Sequence, residues 1–420
     1  MPNEGGGGTI LRINSHGDVK VIYRFRPGRK GNFPSGQQPF ARLVEGNDGY
    51  FYGTTVLGGT SNSGVIFKVS KQGALQVLHT FCAKTITCPD GASPQSVLTL
   101  GSDGNLYGAA LQGGLNDKSC PSGCGTLFRI TPDGKFTVLH SVSFAKECRG
   151  PLGLTQASDG NFYGTTSLGD AVFPKNNCGA VFRLTPSGQF TVLHSFNHDH
   201  PSTRLTQART GKLYGASYYI DEFSAFNYVY EISLSGAYQV IHSLQDNEGF
   251  LANDLIQASD GNLWDTSSAG GTNLGQYGAV FALTTGGSFL KTYAFDFKNG
   301  WFPGDTAIQA ADGKFYGMTE EGDANYGQGV VWTLDAGLAP PQPLIGGFSP
   351  SSGKVGSKVL IRGQHFIATK RVSFDRVPAP FQVLNTQFIV ATVPQGATTG
   401  PITVRNPGGT AKSKSSFTVQ

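Results

Sequence analysis

The sequence predicts an all-β protein, a β-propeller followed by a small immunoglobulin-like β-sandwich. Glycine accounts for 59 of the 420 residues, and charged residues make up only 14%. Glycine is costly inside helices and common in turns, so this composition favours short strands over a helical bundle. An aromatic content of 11% argues against disorder, because disordered chains contain few aromatic residues. An internal repeat through most of the chain indicates the propeller.

An Asp-Gly pair followed by a strand marks this repeat. It recurs from Asp48 to Asp312 over five intervals, with Thr210-Gly211 as a degenerate copy, and the period of about 53 residues suits propeller blades. The copy after Gly153 contains four strand-like segments, LTQAS (strand a), NFYGTT (strand b), GAVFRL (strand c) and FTVLHSF (strand d). The Asp-Gly pair predicts a tight a–b hairpin in which both central residues have positive φ. Four antiparallel strands in each repeat are typical of a propeller blade.

The number of strands favours six blades. Strand c recurs seven times and the other three strands six times each, which completes six four-stranded blades with one strand c left over. We expect the propeller to occupy residues 1–338. The N-terminal strand d, at 19–25, is expected to complete the last blade, because closure removes exposed sheet edges. Seven blades are the alternative if further strands precede the given sequence.

A proline-rich segment, APPQPL at 339–344, predicts an extended and stiff linker. Short strand-like segments separated by Gly, Pro and Asn turns then continue over residues 345–420. Several short strands in so short a segment fit a small immunoglobulin-like sandwich. The sequence therefore predicts a second domain at the C-terminus.

All six cysteines lie in the first half of the chain. Their even number, short spacings and Gly-, Pro- and Ser-rich surroundings predict disulfides and an oxidising compartment. A zinc site that includes Cys120 and Cys124 is the alternative. Local pairing is the natural connectivity, although six cysteines allow other pairings. The predicted pairs are Cys82–Cys88, Cys120–Cys124 and Cys148–Cys178.

The connections between strands b and c and between strand d and the next strand a are long and vary between repeats. Binding sites concentrate in variable loops on a rigid scaffold, so these loops are the candidate functional face. Departures from the repeat in the last three units supply aromatic rings and carboxylates, groups that stack on sugars or hold calcium. The candidate ligand-binding residues are Tyr218, Tyr219, Asp221, Glu222, Trp264, Asp265, Trp301, Glu320 and Glu321. A solvated acidic rim with aromatic residues packed between blades is the structural alternative.

Catalytic and metal sites are secondary hypotheses, because the sequence has no nucleophile elbow and no HExxH motif. A glycosidase or lyase would need paired carboxylates. The candidates for that role are Glu320, Glu321, Asp323 and Asp221. His198 and His200 form a His-x-His pair that suits a metal. The histidines that recur in strand d occur once per repeat, and we interpret them as scaffold residues bonded inside the sheet. No cofactor is predicted, with calcium as the alternative.

The net charge is only +4, from 32 basic and 28 acidic residues, which does not favour a nucleic acid partner. No apolar run reaches the roughly 18 residues of a membrane span. Basic residues on the variable loops come from the first three repeats and acidic ones from the last three. The basic half favours an anionic polysaccharide. We therefore expect a polysaccharide or a surface protein as partner, and the oligomeric state stays open.

The repeat resembles the Gloeo/Verruco repeat, whose pattern SDGNxYGTT…GTVFxLTPxGxxTVLHSF is matched in order by SDGNFYGTT and GAVFRLTPSGQFTVLHSF. The C-terminal segment resembles an IPT/TIG domain in FSP at 348–350, GPITV at 400–404 and NPGG at 406–409. The resemblance implies a bacterial, extracytoplasmic propeller protein whose last domain is a spacer or an adhesive module. Because the repeat family has no common activity, the resemblance leaves the function open.

These observations favour an extracytoplasmic, non-enzymatic binding or adhesion protein whose variable loops contact a glycan or a protein. A carbohydrate-active enzyme and a structural cell-surface component are the alternatives. Residues 1–8 lack the basic and apolar segments of a signal peptide. We therefore expect the given sequence to be a mature or trimmed form of a secreted or cell-surface protein.

Overall fold

The computed structural model describes most of the chain. The described residues are 6–14, 17–28, 31–83, 87–115, 120–167, 178–197, 199–220, 225–245, 248, 250–271, 277–296, 300–304, 307–322 and 329–420. They contain one helix, α1 (Phe144–Glu147), of four residues. In this part of the chain, no helix has the length and apolarity needed to span a bilayer. The chain divides into two compact units, Met1–Val240 and Ile241–Gln420.

The first unit consists of antiparallel sheets in which consecutive strands pair. It begins with a two-stranded sheet of β1 (Thr9–Ile13) and β2 (Val19–Arg24). Three four-stranded sheets follow, which we number repeat sheets 1 to 3. Their strands are β3 (Val44–Glu45), β4 (Phe51–Thr55), β5 (Val65–Val69) and β6 (Leu75–Thr80), then β7 (Thr99–Leu100), β8 (Leu106–Ala110), β9 (Thr126–Ile130) and β10 (Phe136–Ser141), then β11 (Pro151–Gln156), β12 (Phe162–Ser167), β13 (Cys178–Leu184) and β14 (Phe190–Asn197).

Repeat sheet 4 has a split first strand, and its last strand continues into the second unit. Its strands are β15 (His200–Pro201), β16 (Thr206–Gln207), β17 (Leu213–Ile220), β18 (Ala225–Ile232) and β19 (Tyr238–Leu244). Repeat sheet 5 also has a split first strand. Its strands are β20 (Phe250–Ala252), β21 (Ile256–Gln257), β22 (Leu263–Ala269), β23 (Ala279–Leu283) and β24 (Phe289–Ala294). Repeat sheet 6 has three strands, β25 (Ile308–Gln309), β26 (Phe315–Met318) and β27 (Val331–Leu334).

The predicted all-β architecture of four-stranded, propeller-type antiparallel sheets is confirmed. The strands follow the order a, b, c, d along the chain, with consecutive strands as neighbours in each sheet. The first sheet contains only a c and a d strand, and repeat sheet 6 contains only a, b and c. The choice between six and seven blades stays a prediction, as does the division into domains at residues 338 and 345.

The Asp-Gly turns differ from the predicted hairpin. In repeat sheet 3, Ala157 N donates to Asn161 O, and Gly160 N donates to Ala157 O. Gly160 has a φ of 85°, whereas Asp159 is not among the residues with positive φ. The prediction that both central residues have positive φ is therefore wrong. A four-residue turn that ends in a left-handed glycine is formed instead, and the hydroxyl of Tyr163 donates to Asp159 Oδ2 at 2.9 Å.

This hydroxyl–carboxylate contact between strand b and the preceding turn recurs along the chain. The other pairs are Tyr52–Asp48, Tyr107–Asp103 and Tyr316–Asp312. The tyrosine ring in turn packs on the next sheet, as when Tyr107 stacks on Phe162 with centroids 3.9 Å apart. One residue type therefore both fixes its own turn and buries apolar area between neighbouring sheets, which explains why the repeat contains it.

A sandwich of two sheets completes the second unit. Its strands are β28 (Leu344–Ser349), β29 (Ser352–Gly353), β30 (Lys358–Gln364), β31 (Arg371–Phe374), β32 (Val377–Ala379), β33 (Phe381–Val383), β34 (Phe388–Thr392), β35 (Gly400–Asn406) and β36 (Gly409–Val419). One sheet has the order β28-β30-β34-β33 and the other β29-β36-β35-β31-β32. Phe366, Phe374 and Phe417 are fully buried in the core of this sandwich. The predicted C-terminal sandwich is confirmed.

The proline-rich linker is bonded to the sandwich. Buried Asn406 donates from Nδ2 to Pro341 O at 2.9 Å and to His365 O at 3.0 Å. A Cβ at Gly408 would lie 2.2 Å from Pro340 O, so only glycine fits against the linker there. The NPGG turn thereby holds the linker in place, which adds an anchor to the stiffness expected from its prolines.

Candidate ligand-binding site

The strand order places the variable connections of each repeat sheet at one end. Since consecutive strands are antiparallel neighbours, the a–b and c–d turns lie at one end of a sheet. The b–c and d–a connections lie at the other, which we call the loop end. Each predicted site residue can therefore be located by the connection that carries it.

Two disulfides fasten connections at the loop end of the first unit. One closes a segment of the d–a connection after β6, and the other a segment of the b–c connection after β8. The pairs are Cys82–Cys88 and Cys120–Cys124, so these two predicted pairings are confirmed and the zinc alternative is wrong. Cys148 is also disulfide-bonded. The side chain of Cys178 lies outside the described residues, and its pairing stays a prediction.

A strand d histidine anchors the following d–a connection in three repeat sheets. His79 Nε2 lies 3.0 Å from Asp90 Oδ2, which also accepts a hydrogen bond from Cys82 N. Burial raises the pKa of Asp90, but the hydrogen bonds from His79 and backbone amides outweigh it, so the pKa lies below its ordinary value. The same arrangement joins His140 to Glu147 and His242 to Glu248, both at 2.8 Å. These histidines bond to loop carboxylates and not, as predicted, inside the sheet.

Repeat sheet 4 brings His200 and Tyr218 together. They are opposite each other in β15 and β17, and their ring centroids are 5.2 Å apart. His200 is buried, its Nδ1 has no hydrogen-bond partner among the described residues, and burial lowers its pKa. Burial raises the pKa of Tyr218. His198, Asp221 and Glu222 lie outside the described residues, so a His-x-His metal site stays a prediction.

Trp264 takes the position of the strand b tyrosine in repeat sheet 5. It is 1% exposed, and its ring stacks on Phe315 with centroids 4.5 Å apart. Its Nε1 donates to Asp260 Oδ2 at 3.2 Å, the contact that tyrosine hydroxyls make to the turn aspartate in other repeat sheets. A ring enclosed in this way offers no face to a ligand. Its role here is to fix the turn and pack the core.

Asp265 occupies a position where the other repeat sheets have glycine. Glycine leaves room there for the strand c ring, since a Cβ at Gly108 would lie 2.5 Å from Phe128 Cζ. Asp265 is 1% exposed, its Oδ1 accepts from Thr266 N at 2.6 Å, and its Oδ2 has no hydrogen-bond partner among the described residues. Burial and then the charge of Asp254 raise its pKa well above the ordinary value. Asp265 is therefore a buried acid.

Three aromatic side chains gather at the loop end of the second unit. Tyr277 precedes β23, and Trp301 and Phe302 lie in the connection between β24 and β25. The centroid of Trp301 is 5.2 Å from that of Phe302, with nearly parallel planes, and 5.8 Å from that of Tyr277, edge to face. Phe302 is 36% exposed, and the other two are partly exposed. We call these three residues the aromatic cluster.

Backbone hydrogen bonds join the aromatic cluster to the b–c connection of repeat sheet 6. Trp301 N donates to Glu321 O at 2.8 Å, and Glu321 N donates to Trp301 O at 3.3 Å. Glu320 N donates to Phe302 O at 2.9 Å. Phe302 N donates to Tyr277 O at 3.0 Å. Three separate connections are therefore held together, and two carboxylate-bearing residues are fixed beside the rings.

The structure thus brings three predicted ligand-binding residues together, Trp301, Glu320 and Glu321. Tyr218 and Tyr219 lie in β17 of repeat sheet 4 and are partly exposed. Asp323, like Asp221, lies outside the described residues, so a catalytic set that includes either stays untested. Sequence reasoning missed two members of the aromatic cluster, Tyr277 and Phe302. The signal for Phe302 was its position directly after Trp301 in a connection rather than in a strand.

Profiles of two families match the sequence. The Gloeobacter/Verrucomicrobia repeat matches residues 3–227 and 201–341. The chain belongs to the Gloeobacter/Verrucomicrobia repeat family. The IPT/TIG domain matches residues 343–419, which is the sandwich of the second unit. No curated protein sequence matches this family member.

Solved structures resemble this repeat protein at low identity. A gluconolactonase from Xanthomonas campestris is 16% identical with a TM-score of 0.43, over 72% of this chain and 87% of that chain. The periplasmic gluconolactonase of Pseudomonas aeruginosa is 16% identical with a TM-score of 0.40, over 68% and 76%. A luciferin-regenerating enzyme is 14% identical with a TM-score of 0.44, over 79% and 97%. At identities and TM-scores this low, the likeness does not indicate an activity for this chain.

Proposed function

We propose that this repeat protein is an extracytoplasmic, non-enzymatic binding or adhesion protein that binds a glycan at the aromatic cluster. The observation that carries the proposal is the group of partly exposed rings around Trp301 with Glu320 and Glu321 beside it. The C–H face of a sugar ring packs on an aromatic face, whose charge is negative at its centre. Carboxylates accept hydrogen bonds from sugar hydroxyls and fix the orientation of the ligand.

The disulfides support an extracytoplasmic location. Disulfides persist in oxidising compartments and are rare in the reducing cytosol. Cys82–Cys88 and Cys120–Cys124 each close a short segment of a loop-end connection. Such bonds restrict the unfolded chain, which suits a protein that works outside the cell.

The scaffold supports binding at a preformed surface. Backbone hydrogen bonds across three connections join the residues of the aromatic cluster to Glu320 and Glu321. Little conformational freedom is therefore lost when a ligand binds. We propose that the sandwich at the C-terminus acts as a spacer or a second adhesive module, the role usual for its domain class.

The proposal is tested on a glycan array with the full chain, followed by calorimetry on the best oligosaccharide. Trp301→Ala is expected to lower the affinity about two- to tenfold, because a stacked aromatic contact contributes about 0.5–1.5 kcal/mol. The control is Tyr50→Ala, which removes an aromatic residue that is 36% exposed and lies beside the a–b turn of repeat sheet 1. The control is expected to bind as the unmodified protein does.

Two outcomes contradict the proposal. If no glycan binds and all variants behave alike, the glycan-binding proposal is wrong, and the protein ligand and the structural role that the sequence left as alternatives stand instead. If a bound oligosaccharide is cleaved, and Glu320→Gln or Glu321→Gln stops the cleavage without loss of binding, the protein is a carbohydrate-active enzyme.

A further inference from the structure

The aromatic cluster is bordered by carboxylates that have no cationic partner in the described part of the chain. Glu320 is exposed and Glu321 partly exposed. Neither takes part in the ion pairs found between described residues. The side chain of Glu320 lies beside Gly304, because a Cβ at Gly304 would be 2.5 Å from Glu320 Oε1. Its carboxylate is therefore close to the chain segment that carries Trp301 and Phe302.

Both components of this surface attract positive charge. The face of an aromatic ring is negative, so a cation over it is attracted. An exposed carboxylate attracts an ammonium group by forming an ion pair with it. A ligand carboxylate would be repelled by both components. The charge of the surface therefore discriminates between cationic, neutral and anionic sugars.

The geometry of the rings is set before a ligand arrives. Trp301 has Phe302 nearly parallel to it and Tyr277 edge to face, so the three rings pack into one partly exposed aromatic surface. Phe302 has a φ of 52°, a conformation that costs a non-glycine residue energy and is typical of ligand-binding segments. The hydrogen bond from Phe302 N to Tyr277 O holds it there.

We infer that the sugar bound at the aromatic cluster is an amino sugar with a free ammonium group, as in a glucosamine oligomer. This inference rests on the proposed glycan-binding function and adds the charge of the ligand. The sugar packs its C–H face on Trp301, and its ammonium group pairs with Glu320. A neutral sugar makes the first contact and only an uncharged hydrogen bond to Glu320, and a uronic acid is repelled. The anionic polysaccharide predicted from the basic loops of the first repeats does not fit this surface.

Calorimetry with four hexasaccharides and the full chain tests the inference. The probes are a glucosamine hexamer, its N-acetylated form, a glucose hexamer and a galacturonate hexamer. The glucosamine hexamer is expected to bind about tenfold more tightly than the glucose hexamer, from cation–π and ion-pair contributions together. Its advantage is expected to shrink at high salt, which screens exposed charges. The galacturonate hexamer is expected not to bind.

Two variants separate charge from stacking. Glu320→Gln is expected to lower the affinity for the glucosamine hexamer more than that for the glucose hexamer, so that the tenfold difference between them shrinks to the part that the cation–π contact contributes. Asp335→Asn removes another exposed carboxylate and is expected to change neither. Equal affinities for the amino and neutral hexamers, with no effect of Glu320→Gln, would overturn the inference and leave the proposed function standing. Displacement of every hexamer by a lysine hexapeptide at equal concentration would overturn it in favour of a cationic peptide ligand. Binding of none of the hexamers would overturn the inference, and the glycan array then decides whether the proposed function stands.

Discussion

His79 stacks face to face on Phe136, with ring centroids 3.8 Å apart and planes that differ by 3°. His79 lies in strand d of repeat sheet 1 and Phe136 at the start of strand d of repeat sheet 2, so the contact joins neighbouring sheets. The same arrangement recurs in His140 with Phe190 and His194 with Tyr238. This position of the repeat therefore joins strand d of repeat sheets 1 to 3 to strand d of the following sheet. His79 also bonds to Asp90 in the d–a connection.

His79→Ala is expected to destabilise the first unit by about 1–3 kcal/mol, because it removes a stacked pair and a charge-assisted hydrogen bond. His79→Phe is expected to lower the free energy of unfolding by less, since the stacked ring stays and only the contact to Asp90 is lost. Urea denaturation followed by intrinsic fluorescence measures both. If the two variants are equally destabilised, the stacking contributes nothing and the loop anchor accounts for the whole effect.

Asp90 is expected to make stability depend on acidity. Its pKa is lower in the folded chain than in the unfolded chain, so its ionised form stabilises the fold above the unfolded pKa of about 3.9. That contribution is lost as the pH falls through the folded pKa. Asp90→Asn is expected to lower the thermal midpoint at neutral pH. In acid, the difference in thermal midpoint between this variant and the unmodified protein is expected to be smaller. A difference that stays constant from neutral to acid pH would contradict the prediction.

The sequence predicted the repeat sheets well because each repeat is stabilised by the same local contacts. Tyr163 and Asp159 lie four residues apart and meet across one turn, so the pattern is visible in a single copy. The turn type was missed because the Asp-Gly pair alone does not specify it. Repeat sheet 5 forms the same turn at Gly261 although Trp264 replaces the tyrosine. Chain closure depends on contacts between distant segments, and no local pattern determines it.

The candidate site was predicted less completely, as the two off-pattern tryptophans illustrate. Trp264 falls in the slot that tyrosine fills in other repeats, and the structure buries it. Trp301 falls in a connection and meets Tyr277 from another connection. Both residues depart from the repeat, so departure alone does not separate packing from binding. The position of Trp264 in strand b, where other repeats have tyrosine, indicates packing. The contact of Trp301 with Tyr277 follows only from the tertiary structure.

Trp264 gives a direct test of that distinction. Trp264→Tyr is expected to cost little, because tyrosine fills this slot elsewhere and its hydroxyl can reach the turn aspartate, Asp260. Trp264→Ala is expected to cost about 3–5 kcal/mol, the range for truncation of a buried large ring. Glycan affinity is expected to be unchanged in the folded Tyr variant. Chemical denaturation and calorimetry check the two expectations, and a Tyr variant that folds but no longer binds would return Trp264 to the site.

Asp265 is expected to give the opposite dependence on pH from Asp90. Its folded pKa is raised by burial, so its contribution to stability is fully present below the unfolded pKa of about 3.9 and is lost as the pH rises through the folded pKa. Asp265→Asn keeps the shape without the ionisation. It is therefore expected to gain stability relative to the unmodified protein as the pH rises from acid to mildly alkaline.

The matched control is Asp335→Asn, whose exposed carboxyl has a pKa lowered by hydrogen bonds from Gly337 N and Lys314. The control is expected to lose stability relative to the unmodified protein as the pH rises. Thermal midpoints across this pH range measure both variants. Curves for Asp265→Asn that run parallel to the unmodified protein would contradict the prediction, because they would show that this carboxyl has the same pKa in the folded and unfolded chain.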